Sequence, residues 1–126
     1  MKLLYFAFTL ILPLLMLSCS SDDPADAAVS YVKMLDEGKT DELIDHIYGC
    51  DSAKAEYREH MISIYGQMSA SVLKECGRIK NVEVVKVDNH EAEGYADVIL
   101  HIVFESNAER DILISLVRHN DEWQLK

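Results

Sequence analysis

Apolar residues change their spacing along this chain, and each spacing predicts a different element. From Leu3 to Leu17 they are nearly continuous. From Pro24 to Cys76 they recur every three or four residues, the period of one helix face. From Ile79 onward they alternate with polar residues, the period of a strand.

The helical half divides at its glycines. Asp23-Pro24 suits an N-cap with proline in the first turn. Ala28, Tyr31, Val32 and Leu35 then share one face, and Gly38 supplies a stop. Thr40 suits the cap of a short second helix carrying Leu43, Ile44, Ile47 and Tyr48, which ends at Gly49. A third helix is predicted from Ser52, with Gly77 as its C-cap. Its stripe runs Tyr57, Met61, Ile64, Met68 and Val72, widened by Ile62, Tyr65, Leu73 and Cys76.

In the strand half, Val82, Val84 and Val85-Lys86-Val87 predict a strand closed by a turn at Asp88-Asn89. The next strand, about Glu93 to Glu105, has one wholly apolar parity: Ala96, Val98, Leu100, Ile102 and Phe104. Its other parity mixes Tyr95, Asp97, Ile99, His101 and Val103. Ser106-Asn107-Ala108 predicts a hairpin turn. Arg110 to Arg118 follows with Ile112, Ile114 and Leu116 on one face, and His119-Asn120-Asp121-Glu122 turns into a last strand from Trp123 to Lys126. Turns this short require antiparallel neighbours. The predicted class is α+β: three N-terminal helices packed on one face of a curved antiparallel sheet of about four strands.

The first segment is of another kind. Lys2 precedes the apolar run, which falls short of the roughly 20 residues a spanning helix needs. Pro13 interrupts it, and Cys19 is followed by Ser20-Ser21-Asp22-Asp23. Met16-Leu17-Ser18-Cys19 resembles a lipobox, with a bulky Leu17 where a small residue is common. The resemblance implies cleavage before Cys19 and lipidation of its thiol; the competing readings are an ordinary secretory signal and a retained membrane anchor. The boundaries that follow are residues 1–18 as signal peptide, 19–23 as lipidated tether and 24–126 as one domain. The acyl chains would contribute about 0.8 kcal/mol per buried CH₂, enough for stable anchoring when several are present. The expected location is the cell envelope, as an outer-membrane lipoprotein of a Gram-negative bacterium. The acidic tether is either a surface-export signal or a solvated linker.

Composition narrows the partners. The chain has 126 residues, with 22 acidic against 12 basic and a net charge of −10. Such a chain is a poor nucleic-acid binder, and anionic lipid would repel it without an acyl anchor. Besides Cys19 there are Cys50 and Cys76. The long helix would hold them roughly 36 Å apart at 1.5 Å per residue, too far for the ~7 Å Cα separation a disulfide requires. Two separate buried thiols are expected.

The order helix–helix–helix–strands, with Ala27 to Lys39 at its start, Ile79 to Val85 in its middle and Asp121-Glu122-Trp123-Gln124-Leu125-Lys126 at its end, resembles the nuclear transport factor 2-like (NTF2-like) superfamily. Within it, the chain is similar to the lipoprotein group of unknown function termed the 4878 family, described as cystatin-like or lumazine-binding-like. The resemblance covers nearly all of residues 24–126 and implies a curved sheet wrapped around a helix as a cone. It carries over no catalytic residue, because such cones serve binders, isomerases, dehydratases and interaction modules alike.

No Walker loop, GxGxxG, HExxH, CxxC or GxSxG occurs. Asp97 and His101 lie four apart on one strand, so they share a face roughly 13 Å apart. By resemblance to isomerase-like cones, Asp97 could serve as a base and Tyr31, Tyr57 or Tyr65 as a donor. Against this, the wholly apolar parity should face the helices and leave Asp97 and His101 outside. Glu42 with His46, and Glu56 with His60, are i,i+4 pairs that suit either a metal or a solvated surface. No metal or cofactor is assigned. Tyr31, Tyr57, Met61, Tyr65 and Met68 suit either the core or a pocket for a small apolar ligand. On the outer sheet face, Ile99, Val103, Leu113 and Val117 suit a homodimer or partner-protein surface. Taken together these features predict a membrane-anchored envelope lipoprotein. Its domain would be a non-enzymatic binding or interaction module for an apolar ligand or partner protein. The alternative is a small enzyme using Asp97 and a tyrosine.

Overall fold

The computed structural model describes residues 23–50 and 52–126. The leader and Cys19 lie outside the described residues. Among those described, no helix is long and apolar enough to cross a membrane.

Helix α1 spans Pro24–Asp36. The Asp23 carboxylate accepts from the Ala25 amide at 2.9 Å, as the Asp-Pro start predicts. Helix α2 is short, Thr40–Ile44. Lys39, not Thr40, occupies its N-cap, and Thr40 is drawn inside the first turn, where it is buried. Helix α3 spans Ala55–Cys76, starting later than Ser52, and Gly77 closes it with its amide donating to the Leu73 carbonyl at 2.9 Å.

The strands are β1 (Ile79–His90), β2 (Tyr95–Phe104), β3 (Glu109–His119) and β4 (Glu122–Leu125). They form one antiparallel sheet in the order β1-β2-β3-β4. Strand β1 does not turn at Asp88-Asn89, because both residues pair with β2, opposite Asp97 and Ala96. The chain reverses through a 3₁₀ turn at Glu91–Glu93, where Gly94 adopts φ 87°. Asn120 and Asp121 both take positive φ, 52° and 59°, which matches the tight β3–β4 hairpin.

The predicted parity of β2 holds along its whole length: Ala96, Val98 and Leu100 are fully buried, and Ile102 and Phe104 nearly so. Helix α1 lies across this face and touches all four strands. Trp123 of β4 is buried in the same cluster with Leu116, Ala28 and Tyr31. Helix α3 forms an outer layer on α1 and α2. A second cluster gathers Ile44, Ile47 and Cys50 against Met61, Ile62 and Tyr65. Cys50 and Cys76 are both buried, in different clusters, and are not bonded to each other.

Segment 46–48 docks beside β4. The Tyr48 amide donates to the Leu125 carbonyl at 2.7 Å, and the Leu125 amide donates to the His46 carbonyl at 2.8 Å. That closes one edge of the sheet. Among the described residues β1 is the open edge.

Helix α3 buries one flank of the predicted stripe. Met61, Ile62, Tyr65, Val72 and Cys76 turn inward with Ser69, whereas Tyr57, Ile64, Met68 and Leu73 are 51%, 45%, 42% and 49% exposed. Small residues lie at the contact. Ser69 donates its hydroxyl to the Leu35 carbonyl at 2.5 Å, and Gly66 faces Thr40.

Gly77 has φ 79° and ψ −170°, a region open essentially to glycine alone. A Cβ there would also stand 3.4 Å from the Glu105 Cβ. Gly77→Ala is expected to cost about 1–3 kcal/mol, read as a lowered urea midpoint with an unchanged m-value.

Candidate functional site

The concave face of the sheet is filled by side chains. Tyr31, on α1, is packed into that core. Its hydroxyl donates to the backbone carbonyl of Trp123 and, at 3.5 Å, to the Glu122 carboxylate. Burial raises the phenol's pKa well above its ordinary value, and the nearby Glu122 charge adds to the effect. Tyr31 is therefore a fixed donor, not a base.

Glu122 also accepts from His46 Nδ1. The His46 ring lies against Tyr31, with centroids 5.3 Å apart. One carboxylate thus joins α1, the segment after α2 and β4. Neither His46 nor Glu122 was expected here: the sequence offered Glu42 as the histidine's partner by i,i+4 spacing, and the 76 positions separating His46 from Glu122 carry no local signal. Beside this cluster Arg118 stacks over Trp123 at 5.3 Å, and Tyr48 meets His119 edge to face at 5.1 Å.

The other tyrosines and methionines divide between the interior and the surface. Tyr65 and Met61 pack under the second cluster, and Tyr57 and Met68 are exposed on α3. Glu56 and His60 are exposed on the first turns of α3. Among the described residues, no group of three or more His, Cys, Asp or Glu side chains is placed to hold a metal. Clefts open instead beside α1. One, of about 320 Å³, lies between the C-terminal end of α1 and the start of β1 and includes Lys33, Asp36, Arg78 and Lys80. Asp36 is engaged there, accepting from Arg78 Nε and the Ile79 amide, both at 3.0 Å.

Asp97 and His101 are on the opposite, outer face of the sheet, alternating with the buried residues of β2. Asp97 stands in register with Asp88 and Ser115. His101 is committed to β3: Nδ1 donates to Asp111 at 2.5 Å and Nε2 to Glu109 at 2.8 Å. Both nitrogens donating describes an imidazolium. Those two bonds, Asp111's first, raise the His101 pKa. Asp97 and the tyrosine of the cone interior thus stand on different sides of a continuous sheet. Around Asp97 and His101, the outer face carries Ile99 opposite Leu113, with Val103 and Val117, and Leu113 is 62% exposed.

The element order, the layering and the open antiparallel sheet define an NTF2-like α+β cone. Among solved structures, the chain is similar to a Campylobacter jejuni protein named "Putative NTF2-like transpeptidase", at 17% identity and a TM-score of 0.68. That match covers 82% of this chain and 96% of that one. It is also similar to a substituted variant of a protein named Rd1NTF2_05, at 20% identity and a TM-score of 0.52. Here the shares are 82% of this chain and 95% of that one. At such identities the likeness is one of fold. No protein-family model matches the chain, and no curated protein matches it.

Two outcomes are expected. Tyr31→Phe leaves the Trp123 carbonyl without its side-chain donor and should cost about 1–3 kcal/mol in equilibrium unfolding. For His101, the folded pKa is raised, so its contribution to stability is complete below about 6.5 and fades as pH rises through the folded value. His101→Gln should therefore lower the melting temperature in mildly acidic buffer and change it little in alkaline buffer.

Proposed function

We propose that this chain is a lipid-anchored protein of the bacterial cell envelope whose NTF2-like domain is a non-enzymatic module that binds a partner protein. One observation carries the choice of binding over catalysis. The concave face, where a cone would hold a substrate, is occupied by Ala96, Val98, Leu100, Ile102 and Phe104 under α1. The acid with which an enzyme would work, Asp97, stands on the other face. Exposed apolar side chains sit where a partner could reach them: Leu113 on the outer sheet face, and Tyr57, Ile64 and Met68 on α3.

The anchoring half of the reading is supported by the lipobox-like Met16-Leu17-Ser18-Cys19 and by the helix start at Pro24, which leaves only a short acidic tether after Cys19. Expression of the full chain in a Gram-negative host, followed by membrane fractionation and intact mass spectrometry, tests it. Wild-type protein should be found in the membrane fraction with a mass matching cleavage before Cys19 plus acyl chains. Cys19→Ala should be released from that fraction. An unmodified N-terminus on the membrane-bound wild type, or a Cys19→Ala protein bound equally well, would remove the anchoring claim.

A further inference from the structure

We propose that two copies of this chain pair antiparallel through the open edge of β1, about a two-fold axis at Val84-Val85, to make one continuous eight-stranded sheet. Segment 46–48 closes the β4 edge, whereas among the described residues no strand covers the outer edge of β1. Val84, Val85 and Val87 are 40%, 59% and 38% exposed along that edge. Such a row of unpaired backbone groups beside valines is a template for another strand.

The sequence of the edge reads nearly the same from both ends. Around the junction of Val84 and Val85, valines flank valines, Glu83 mirrors Lys86, and Val82 mirrors Val87. In antiparallel self-pairing, Glu83 of each copy would therefore stand opposite Lys86 of the other, with Val82 opposite Val87 and Asn81 opposite Asp88. A regular strand could not use this match. Residues three apart point to opposite faces, and a two-fold perpendicular to the sheet keeps each residue on its own face.

The irregularity in β1 removes the obstacle. Val84 pairs with Leu100 and Lys86 with Ile99, so Val85 is an extra residue. In consequence Asn81, Glu83, Lys86 and Asp88 all share the outer face, in register with Val103, His101, Ile99 and Asp97. Val82, Val84 and Val87 share the inner face, in register with Ile102, Leu100 and Val98. Parity and charge then agree for a second copy of this chain. The usable edge starts at Asn81, because the Ile79 amide is already taken by Asp36. Among the described residues neither Glu83 nor Lys86 forms an ion pair within the protomer.

Sedimentation equilibrium of the full chain in density-matched detergent tests the pairing. Wild type should show a monomer–dimer equilibrium. Glu83→Lys and Lys86→Glu should each weaken it about tenfold or more, since each places like charges opposite at both symmetric contacts. The double variant Glu83→Lys/Lys86→Glu restores opposite charges and should regain the wild-type constant, with far-UV circular dichroism confirming that each variant is folded. A wild type that is monomeric throughout overturns the proposal. So does a dimer that survives both single variants, one that dissociates only with Leu113→Glu on the outer face, or a folded double variant that stays monomeric.

Discussion

Burial of one face of β2 beneath α1 is the constraint from which the other contacts follow. Five alternate residues, Ala96 to Phe104, must leave water together, and an unbroken strand can only bury them by presenting one whole face. Helix α1 covers that face and is fixed at both ends. Asp23 caps its start, and Asp36 near its end accepts from the Ile79 amide, tying it to the first residue of β1. Tyr31, midway, fastens it to the backbone of β4. Once α1 is set, α3 has only the outer side of α1 and α2 left to pack on.

How much was legible in the sequence differs by element. The parity of β2 was, because period-two alternation over ten residues has one reading. The helix stops at Gly38 and Gly77 were also legible, since positive φ there suits glycine best. The rotation of α3 was not. Its apolar residues form one wide stripe, and which flank is buried shows only in the packing on α1 and α2, where Gly66 and Ser69 lie. The cluster of His46, Glu122 and Tyr31 was not legible either, since it exists only after the segment following α2 has docked on β4. The fate of Asp97 was legible as a conditional: if the apolar parity faced the helices, the acid had to face away, and it does.

The two faces of the sheet carry different kinds of information. The inner face is specified by volume, and its residues are interchangeable with other apolar ones of similar size. The outer face is specified by charge and register: Asp88 and Asp97 in one row, Glu83 with the imidazolium of His101 and Asp111 in another, and apolar Ile99 and Leu113 between them. The likeness to other cones, at 17% and 20% identity, is one of fold, and a shared fold does not fix an activity.

Trp123 stands last among the buried apolar residues in chain order, yet it is the largest of those almost wholly removed from water. Its carbonyl meets the hydroxyl of Tyr31, near the start of the domain, and its ring meets the guanidinium of Arg118. The two residues stand 92 positions apart, so this one bond closes a loop that holds most of the domain. A contact of such sequence separation costs more chain entropy to form than a local one.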